Sequence, residues 1–351
     1  MNKLKVFEMF AGYGGASIGL KKAGIDHEVV GFSEIDKHAT KVWQQTHGET
    51  VRNFGDCTKI NVDEVPDHDL LTGGFPCQAF SVAGKGQGVD DEKGRGLLFN
   101  DIVRIAEIKK PQYMLLENVK GLLSEKHKAF FEFTKSELAR IGYSVSVQVY
   151  KSSDYGMPQM RERVFYVCER VCAADFTYTG PEVTGMLFNT SDFIEILPRD
   201  SKYFRSEKFV KWWKGRQKEN GGNGFSKRVN DYFDKALPTI TASMSFFDNH
   251  MIEQNGWYRH MSPDEAQKFQ GLFDGDIDWG DTSNSQKYRM IGNGWDVHLV
   301  SKIFSSWFKF CDDCGNIGAT DGICPYAQDI HEEEIECCLC VNCYSDRAGD
   351  I

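Results

Sequence analysis

Residues 4–20 read LKVFEMFAGYGGASIGL, an apolar run followed by a glycine-rich turn and a segment of helical character. The run predicts a β-strand, and the glycines predict a tight turn that leads into a helix. The same order of strand and helix continues to about residue 170, which predicts an α/β domain: a Rossmann-like, doubly wound, mostly parallel sheet with helices on both faces. The predicted strands are 4–10, 28–35, 69–75, 112–119, 143–150 and 162–168, and the predicted helices are 16–24, 36–47, 97–110, 127–142 and 297–308.

The glycine turn lies where such sheets bind ligands, at the carboxyl end of a strand. It does not match G-x-G-x-x-G, because Ser17 occupies the last position. Glu34 follows Gly12 by 22 residues and ends the second predicted strand, where a carboxylate can bind both hydroxyls of a ribose. Asp56 can accept a hydrogen bond from an adenine amino group. The glycines alone fit a structural turn equally well, but together with the two carboxylates they favour a cofactor that contains a nucleoside.

Residues 73–81, GGFPCQAFS, place Cys77 on a loop just after the third predicted strand. A structural cysteine lies more often inside a strand or helix, so this position favours a nucleophile. Glu117 ends the next strand and should reach the same cleft. A carboxylate discourages ionisation of a thiol, which makes sense if Glu117 contacts a substrate ring that the thiol attacks. Arg161 and Arg163 precede and begin a further strand, and they form either a surface ion pair or an anchor for that ring.

The chain has 351 residues, of which 26% are charged and 41% hydrophobic, and its net charge is -10. No apolar run approaches the roughly 20 residues of a membrane span, and the N-terminus lacks the features of a signal peptide. We therefore expect a cytoplasmic protein whose 11 cysteines are thiols or metal ligands.

Positive charge is concentrated in residues 199–228, which hold ten Lys or Arg against three Asp or Glu and include Trp212 and Trp213. A basic stretch with aromatic residues is typical of a surface that binds phosphates. A solvated helix face is the alternative. The helical and strand periodicities are both lost across 171–227, which predicts an irregular region.

Five motifs, FAGYGG, GGFPCQAFS, LLENV, QMRERVF and MIGNGWDV, occur in this order between residues 4 and 308. Together they resemble the C5-cytosine DNA methyltransferase family. The resemblance implies a class I methyltransferase fold in which Cys77 attacks C6 of a cytosine and Glu117 contacts its N3. The ring then takes the methyl group of S-adenosylmethionine at C5, and Arg161 and Arg163 contact the base and the intermediate. The base has to be flipped out, because the target atom is out of reach inside a stacked duplex.

The resemblance also implies the residues of the cofactor pocket and of the DNA interface. Those implied for S-adenosylmethionine are Phe10, Gly12, Gly14, Glu34, Ile35, Asp56, Cys57, Pro76, Leu98 and Asn293, with Glu34 on the ribose. Those implied for DNA are Gln78, Ser81, Asn223, Arg228 and Thr239. Asn223 is a candidate to fill the vacated base position, and a flexible linker is the alternative for its glycine-rich loop.

One motif departs from the family pattern. The family's Gly-Asn-Ser-Val is here Gly292-Asn293-Gly294-Trp295. Asn293 is kept, so the cofactor contact is expected to survive. Because the hydroxyl is lost at Gly294 and Trp295 is far larger than valine, this wall of the pocket is expected to differ in shape.

Seven of the 11 cysteines fall in the last 41 residues, outside the resemblance. Two C-x-x-C pairs, separated by 25 residues, suit four thiolates around a structural Zn²⁺ in a ribbon-like tail. Their members are Cys311, Cys314, Cys340 and Cys343. Free thiols, an iron–sulfur cluster and the exchange of a ligand for Cys324, His331, Cys337 or Cys338 are the alternatives.

These patterns predict four segments. A catalytic domain that binds S-adenosylmethionine spans 1–170, a small irregular target-recognition domain spans 171–275, the chain returns to the catalytic domain over 276–310, and the cysteine-rich tail spans 311–351. The expected partner is double-stranded DNA, with a cognate restriction endonuclease as a candidate that is not stably bound. The protein is expected to be a monomer of prokaryotic or phage origin.

Two other functions keep the same fold. An RNA, such as tRNA, could replace DNA as the methylated substrate, although the 57 residues and positive charge of 171–227 favour DNA. A non-catalytic DNA-binding module is the second alternative, and the presence of both Cys77 and Glu117 argues against it. A nucleotide-dependent oxidoreductase is disfavoured, because the glycine pattern is broken and PCQ and ENV would have no role.

Overall fold

Six strands form the central sheet of the computed structural model, which describes residues 3–76, 98–170, 178–219, 227–242 and 250–308 and the backbone of 320–323 and 336–339. Up to residue 170 the strands are β1 (Leu4–Met9), β2 (His27–Ser33), β3 (Leu70–Gly74), β4 (Tyr113–Val119), β5 (Tyr143–Lys151), β6 (Tyr155–Gly156), β7 (Gln159–Met160) and β8 (Glu162–Arg170). The sheet order is β2-β1-β3-β4-β8-β5. Neighbours from β2 to β4 are parallel, whereas β8 is antiparallel to both β4 and β5. The predicted mostly parallel sheet is confirmed.

Helices cover both faces of this sheet. In the first 170 residues they are α1 (Gly15–Lys22), α2 (Lys37–His47), α3 (Leu98–Lys109) and α4 (Lys128–Arg140). Consecutive side chains of a strand point to opposite faces. Phe7 and Leu71 therefore share a core with α3 and α4, whereas Val6 and Leu70 share one with α1. Burial on both faces explains why the strands read as nearly continuous apolar runs.

Shorter elements follow residue 178. They are β9 (Gly185–Met186), α5 (Glu207–Glu219), β10 (Lys227–Arg228), β11 (Leu237–Pro238), β12 (His250–Gln254), β13 (Trp257–His260), α6 (Pro263–Lys268), α7 (Asn284–Asn293) and α8 (Val297–Trp307). Strands β10, β12 and β13 form a three-stranded sheet, β11 pairs with β7, and β9 pairs with β6. Helix α8 returns to the central sheet, where Val300 and Ile303 join the core beside α1. Short 3-10 helices occupy Cys57–Lys59, Val62–Glu64, Lys120–Leu123, Glu125–His127, Ser152–Asp154, Thr190–Phe193 and Val229–Tyr232.

The prediction of an irregular region over 171–227 is wrong for α5, a helix of 13 residues. Phe209, Val210 and Trp213 pack from this helix against Met251 and Tyr258 of β12 and β13. These three apolar side chains form a contact between the helix and the hairpin. The charged residues between them dominate the composition of the segment and hide this narrow apolar face.

Every helix among the described residues is too short or too polar to cross a bilayer. Beyond residue 308 the described backbone consists of β14 (Thr320–Ile323) and β15 (Glu336–Leu339). These two strands pair antiparallel, with Thr320 opposite Leu339.

Candidate active site

A cavity of about 440 Å³ opens at the carboxyl ends of β1, β3 and β4. Six of the predicted cofactor residues line it: Phe10, Gly12, Glu34, Ile35, Pro76 and Asn293. Glu117 and Arg163 line the same cavity. Asp56 lines an adjoining groove that shares Glu34 and Ile35 with the cavity. The fold thus brings the predicted cofactor residues and the predicted substrate carboxyl group to one place.

Three other predicted cofactor residues are not among those that line the cavity. Gly14 caps the N-terminus of α1 with a φ of 85°. Cys57 is buried in the core of the α3 face, and burial raises the pKa of its thiol to about 12. Leu98 begins α3 and packs against the same core. The side chains of Cys57 and Leu98 pack against this core, and their contact with the cofactor stays a prediction.

Glu34 closes the glycine turn. Its Oε2 accepts a hydrogen bond from the N–H of Gly12 at 2.9 Å, and its Oε1 accepts one from the N–H of Asp36 at 2.8 Å. Each carboxylate oxygen has a further lone pair that can accept from a hydroxyl group. Beside it, Ile35 is 75% exposed and presents an apolar surface in the cavity wall.

Glu117 is a nearly buried carboxyl group near the end of β4. Arg163 of β8 lies alongside, with its Nε 2.8 Å from Oε1 of Glu117. Burial raises the pKa of Glu117 above its usual range, while the charges of Arg163 and Arg161 and hydrogen bonds from Arg163 and Trp295 act in the opposite direction. The site therefore holds a carboxyl group in a fixed place and favours its protonated form.

The structure does not bring Arg161 into the cavity. Its side chain is 2% exposed, and its guanidinium donates to the carbonyl oxygens of Gly292, Gly294 and Ile240 at 3.3, 2.6 and 3.4 Å. Burial lowers the pKa of Arg161 to about 9. In this structure Arg161, the residue before β8, binds the end of α7, and its contact with the base stays a prediction.

Two residues at the cavity were not predicted as functional. Glu8 is a buried carboxyl group whose oxygens accept from Trp43 Nε1 at 2.7 Å and from the N–H of Ser17 at 2.9 Å. Trp295 was noted only for its size, yet its indole lines the cavity beside Glu117 and lowers the pKa of that carboxyl group. The position of Glu8 inside the apolar run of β1 was the one sequence signal for a buried acid.

A basic and aromatic face lies on α5 and the β12–β13 hairpin. The guanidinium of Arg199 stacks 3.8 Å from the centre of the Trp257 ring, and Lys214 lies 4.4 Å from the centre of the Tyr258 ring. The two tryptophans noted in the sequence differ in exposure: Trp213 is buried, and Trp212 is half exposed. This arrangement presents cations and ring faces together, as phosphate-binding surfaces do.

Arg228 and Thr239 have partners within the chain. Arg228 forms ion pairs with Asp231 at 2.5 Å and with Glu253 at 2.9 Å. The hydroxyl of Thr239 donates to the carbonyl of Met160 at 2.7 Å. Both residues therefore brace the region between β7 and β12.

Several predicted residues lie outside the described part of the chain. They are Cys77, Gln78, Ser81, Asn223, Cys311, Cys314, Cys340 and Cys343. Within the described residues, no group of three or more His, Cys, Asp or Glu is arranged to hold a metal ion. The zinc site of the tail stays a prediction.

Comparison with known proteins gives consistent results. Residues 4–309 match the family of C-5 cytosine-specific DNA methylases. The Type II methyltransferase M.NlaX of Neisseria lactamica is 38% identical over 307 residues, covering 85% of this chain and 94% of that protein. The Type II methyltransferase M.SsoII of Shigella sonnei is 35% identical over 315 residues, covering 86% and 79%.

A solved structure supports the fold. The S. pombe Dnmt2 methyltransferase superposes with a TM-score of 0.68 at 19% identity, covering 87% of this chain and 98% of that one. At this identity the similarity concerns the α/β architecture alone.

Proposed function

The chain belongs to the C-5 cytosine-specific DNA methylase family, and from this premise we propose that it methylates a cytosine flipped out of a short duplex sequence, through a covalent bond between Cys77 and C6. It is a DNA (cytosine-5-)-methyltransferase that uses S-adenosylmethionine. The observation that carries the proposal is the Glu117–Arg163 pair in the cavity wall that also contains Pro76, the residue before Cys77.

The cavity fits the cofactor. Its volume of about 440 Å³ lies in the range of small-molecule sites. Exposed Ile35 and half-buried Phe10 offer apolar surface to a purine, Glu34 offers acceptors for ribose hydroxyls, and Asp56 offers an acceptor in the adjoining groove. When bound there, S-adenosylmethionine supplies the methyl group that C5 receives.

The roles of the protein side chains follow from the chemistry of the ring. The thiolate of Cys77 forms a bond to C6, and the electron pair of the C5–C6 double bond becomes available at C5. Glu117, whose raised pKa favours the protonated carboxyl group, donates to N3 and so withdraws electrons from the ring. Arg163 holds Glu117 in place and offers N–H donors beside the base. After methyl transfer, water takes the C5 proton, and the electron pair of that C–H bond restores the C5–C6 double bond. The C6–S bond breaks and releases the Cys77 thiolate, while the N3 proton returns to Glu117.

We further propose that the basic and aromatic face of α5 and β13 contacts the phosphates of the target duplex. Arg199, Lys211 and Lys214 supply the charge, and Trp257 is 40% exposed beside them. Residues 171–275 would then form the target-recognition region of a monomeric enzyme. A cognate restriction endonuclease is a candidate partner in function, without a stable complex.

The tail is proposed to bind one zinc ion. In sequence, Cys314 precedes β14 by six residues and Cys340 directly follows β15, so the two C-x-x-C pairs flank one antiparallel hairpin. Four cysteines in two C-x-x-C pairs have the ligand type and spacing of a tetrahedral structural zinc site. Metal analysis of the purified full chain should give about one zinc per molecule that chelators release, and a value far below one would refute the site.

The catalytic proposal is tested by incubating the protein with S-adenosylmethionine and mixed-sequence duplex DNA, followed by bisulfite sequencing. Wild type and the control Glu125→Gln, in which an exposed residue is changed, should methylate cytosines in one short motif and so protect them from bisulfite conversion. Cys77→Ser should protect none. Full activity of Cys77→Ser would refute the covalent adduct. Cofactor binding without any protected cytosine would indicate an RNA substrate or a non-catalytic DNA-binding role.

A further inference from the structure

Trp295 reaches across the cavity wall to Glu117. It lies between the end of α7 and Asp296, the N-cap of α8, and its side chain is 9% exposed. Nε1 of the indole and Oε2 of Glu117 both border the end of β3 at Gly74, and the indole N–H lowers the pKa of this carboxyl group, whose Oε1 is already held by Arg163 at 2.8 Å. Two donors from different elements therefore converge on one carboxyl group.

The end of β3 leaves room for this contact. Gly74 stands directly opposite Glu117 in the sheet register. A Cβ atom at position 74 would lie 2.9 Å from Nε1 of Trp295 and 3.3 Å from Oε2 of Glu117. Because the first distance is closer than real Cβ atoms approach, any side chain at this position would push the indole away from the carboxyl group.

The indole is itself fixed from behind. The hydroxyl of Tyr13 donates to the carbonyl of Trp295 at 2.7 Å, and a Cβ atom on Gly294 would lie 2.2 Å from the Tyr13 ring. Phe165, which stands opposite Glu117 on β8, packs edge-on against the indole with ring centres 5.9 Å apart. The two departures from the family motif, Gly294 and Trp295, thus serve one arrangement.

We propose that Trp295 is a positioning residue for methyl transfer: its N–H, together with Arg163, fixes the orientation in which Glu117 meets the cytosine ring. This inference rests on the role proposed above for Glu117. The family's Gly-Asn-Ser-Val motif has valine at position 295, and valine has no N–H to donate from its side chain. The contact with Glu117 therefore distinguishes this chain from that motif. Both donors use lone pairs of the carboxyl oxygens, so the protonated carboxyl group still has its own O–H to donate to N3.

The hydrogen bond also tunes the acid. It lowers the pKa of Glu117, against the larger raising effect of burial. Among the described residues, the charged groups that act on Glu117 are Arg163 and Arg161. Loss of the indole N–H should therefore raise the pKa of Glu117, and any limb of the pH–rate profile that reports Glu117 should move to higher pH.

The test compares Trp295→Phe with a matched control. Trp307→Phe removes an indole N–H that donates to Glu169 at 2.7 Å, and neither residue lines the cavity. We expect Trp295→Phe to lower kcat about tenfold or more, with the affinity for S-adenosylmethionine unchanged and the Glu117 limb of the pH profile moved upward. Trp307→Phe should change neither kcat nor the pH profile.

Double variants separate this inference from the proposed function. If Trp295 acts through Glu117, Trp295→Phe should add little to the loss caused by Glu117→Gln. Wild-type kcat and pH profile in a folded Trp295→Phe protein would overturn the inference, as would losses that multiply in the double variant. Full activity of Glu117→Gln would instead overturn the proposed role of Glu117 itself.

Discussion

Nε of Arg163 lies 2.8 Å from Oε1 of Glu117, a contact made possible because β8 runs antiparallel to β4. Arg163 stands opposite Val119, two positions beyond Glu117, so the pair is a diagonal neighbour across the ladder. The carboxyl end of β4, where Glu117 lies, meets the start of β8, because β8 is reversed. A parallel strand in this place would end there instead. The single reversed strand of the central sheet thus carries the cation that the carboxyl group needs.

Removing this cation should impair the chemical step. We expect Arg163→Met to lower the single-turnover methylation rate by roughly a hundredfold, because Glu117 loses the partner that orients it. Lys120→Met is the control, since Lys120 pairs with exposed Glu162 at the same edge. Equal rates for the two variants would argue against a role for Arg163 in the reaction.

Glu34 should determine cofactor affinity. In Glu34→Gln one oxygen remains for the N–H groups of Gly12 and Asp36, and the negative charge that favours ribose hydroxyls is lost. We expect S-adenosylmethionine to bind roughly 10- to 100-fold more weakly, measured by titration calorimetry. Glu64→Gln, an exposed carboxylate paired with Arg52, should bind as wild type does. Unchanged affinity in Glu34→Gln would exclude the ribose contact.

Ionisation of Glu8 should make stability depend on pH. Burial raises its pKa from 4.5 to about 7, so its contribution to stability is fully present below pH 4.5 and is lost as the pH rises through about 7. We expect the free energy of unfolding of wild type, relative to Glu8→Gln, to fall by about 3 kcal/mol across this window. Urea denaturation at a series of pH values measures it, and parallel curves would contradict the prediction.

The ion pair of Arg259 and Glu265 should be essential for folding of the region around β13. Both side chains are 0% exposed and lie 2.7 Å apart. Arg259→Met should destabilise the protein by roughly 3–5 kcal/mol, because it leaves a buried carboxylate without its partner, and adding Glu265→Gln should recover part of the loss. Arg140→Met, which breaks the half-exposed pair with Glu107, should cost at most about 1 kcal/mol in the same urea titration.

The basic and aromatic face should reveal itself in the salt dependence of DNA binding. Arg199→Gln and Lys214→Gln should each weaken binding at all duplex sequences alike and reduce the slope of log affinity against log salt by about one. Lys135→Gln is the control, because Lys135 lies on α4, outside the basic and aromatic face, and pairs with Glu132. This variant should leave the slope unchanged. An unchanged slope in all three variants would place the duplex elsewhere.

The sequence predicted the sheet and the family, and both are confirmed. The sheet was predictable because apolar runs and helical segments alternate locally along the chain. The family was predictable because its motifs are short and occur in a fixed order. Gly12 and Glu34, which are 22 residues apart, are joined by a direct hydrogen bond. They meet because each lies just beyond the end of one of two adjacent parallel strands.

Other features could not be predicted, because they depend on contacts between distant segments. Tyr13 and Trp295 are 282 residues apart in sequence, and nothing local indicates that they touch. The burial of Arg161 depends on carbonyl groups at the end of α7, which point to it only after the chain has returned to the sheet. The R-x-R pattern alone gives no means of separating its two arginines.

The packing of α8 beside α1 has a consequence for how the protein is made. Residues Gly15 to Leu20 are all buried, and Val300 and Phe304 complete the core that contains Leu20. At about 5–20 residues per second, a ribosome needs about 15 to 60 s to travel from the first helix to the last. During that interval the nascent chain exposes an apolar helix surface that its own C-terminal portion covers later. Chaperones can bind this surface until the chain is released.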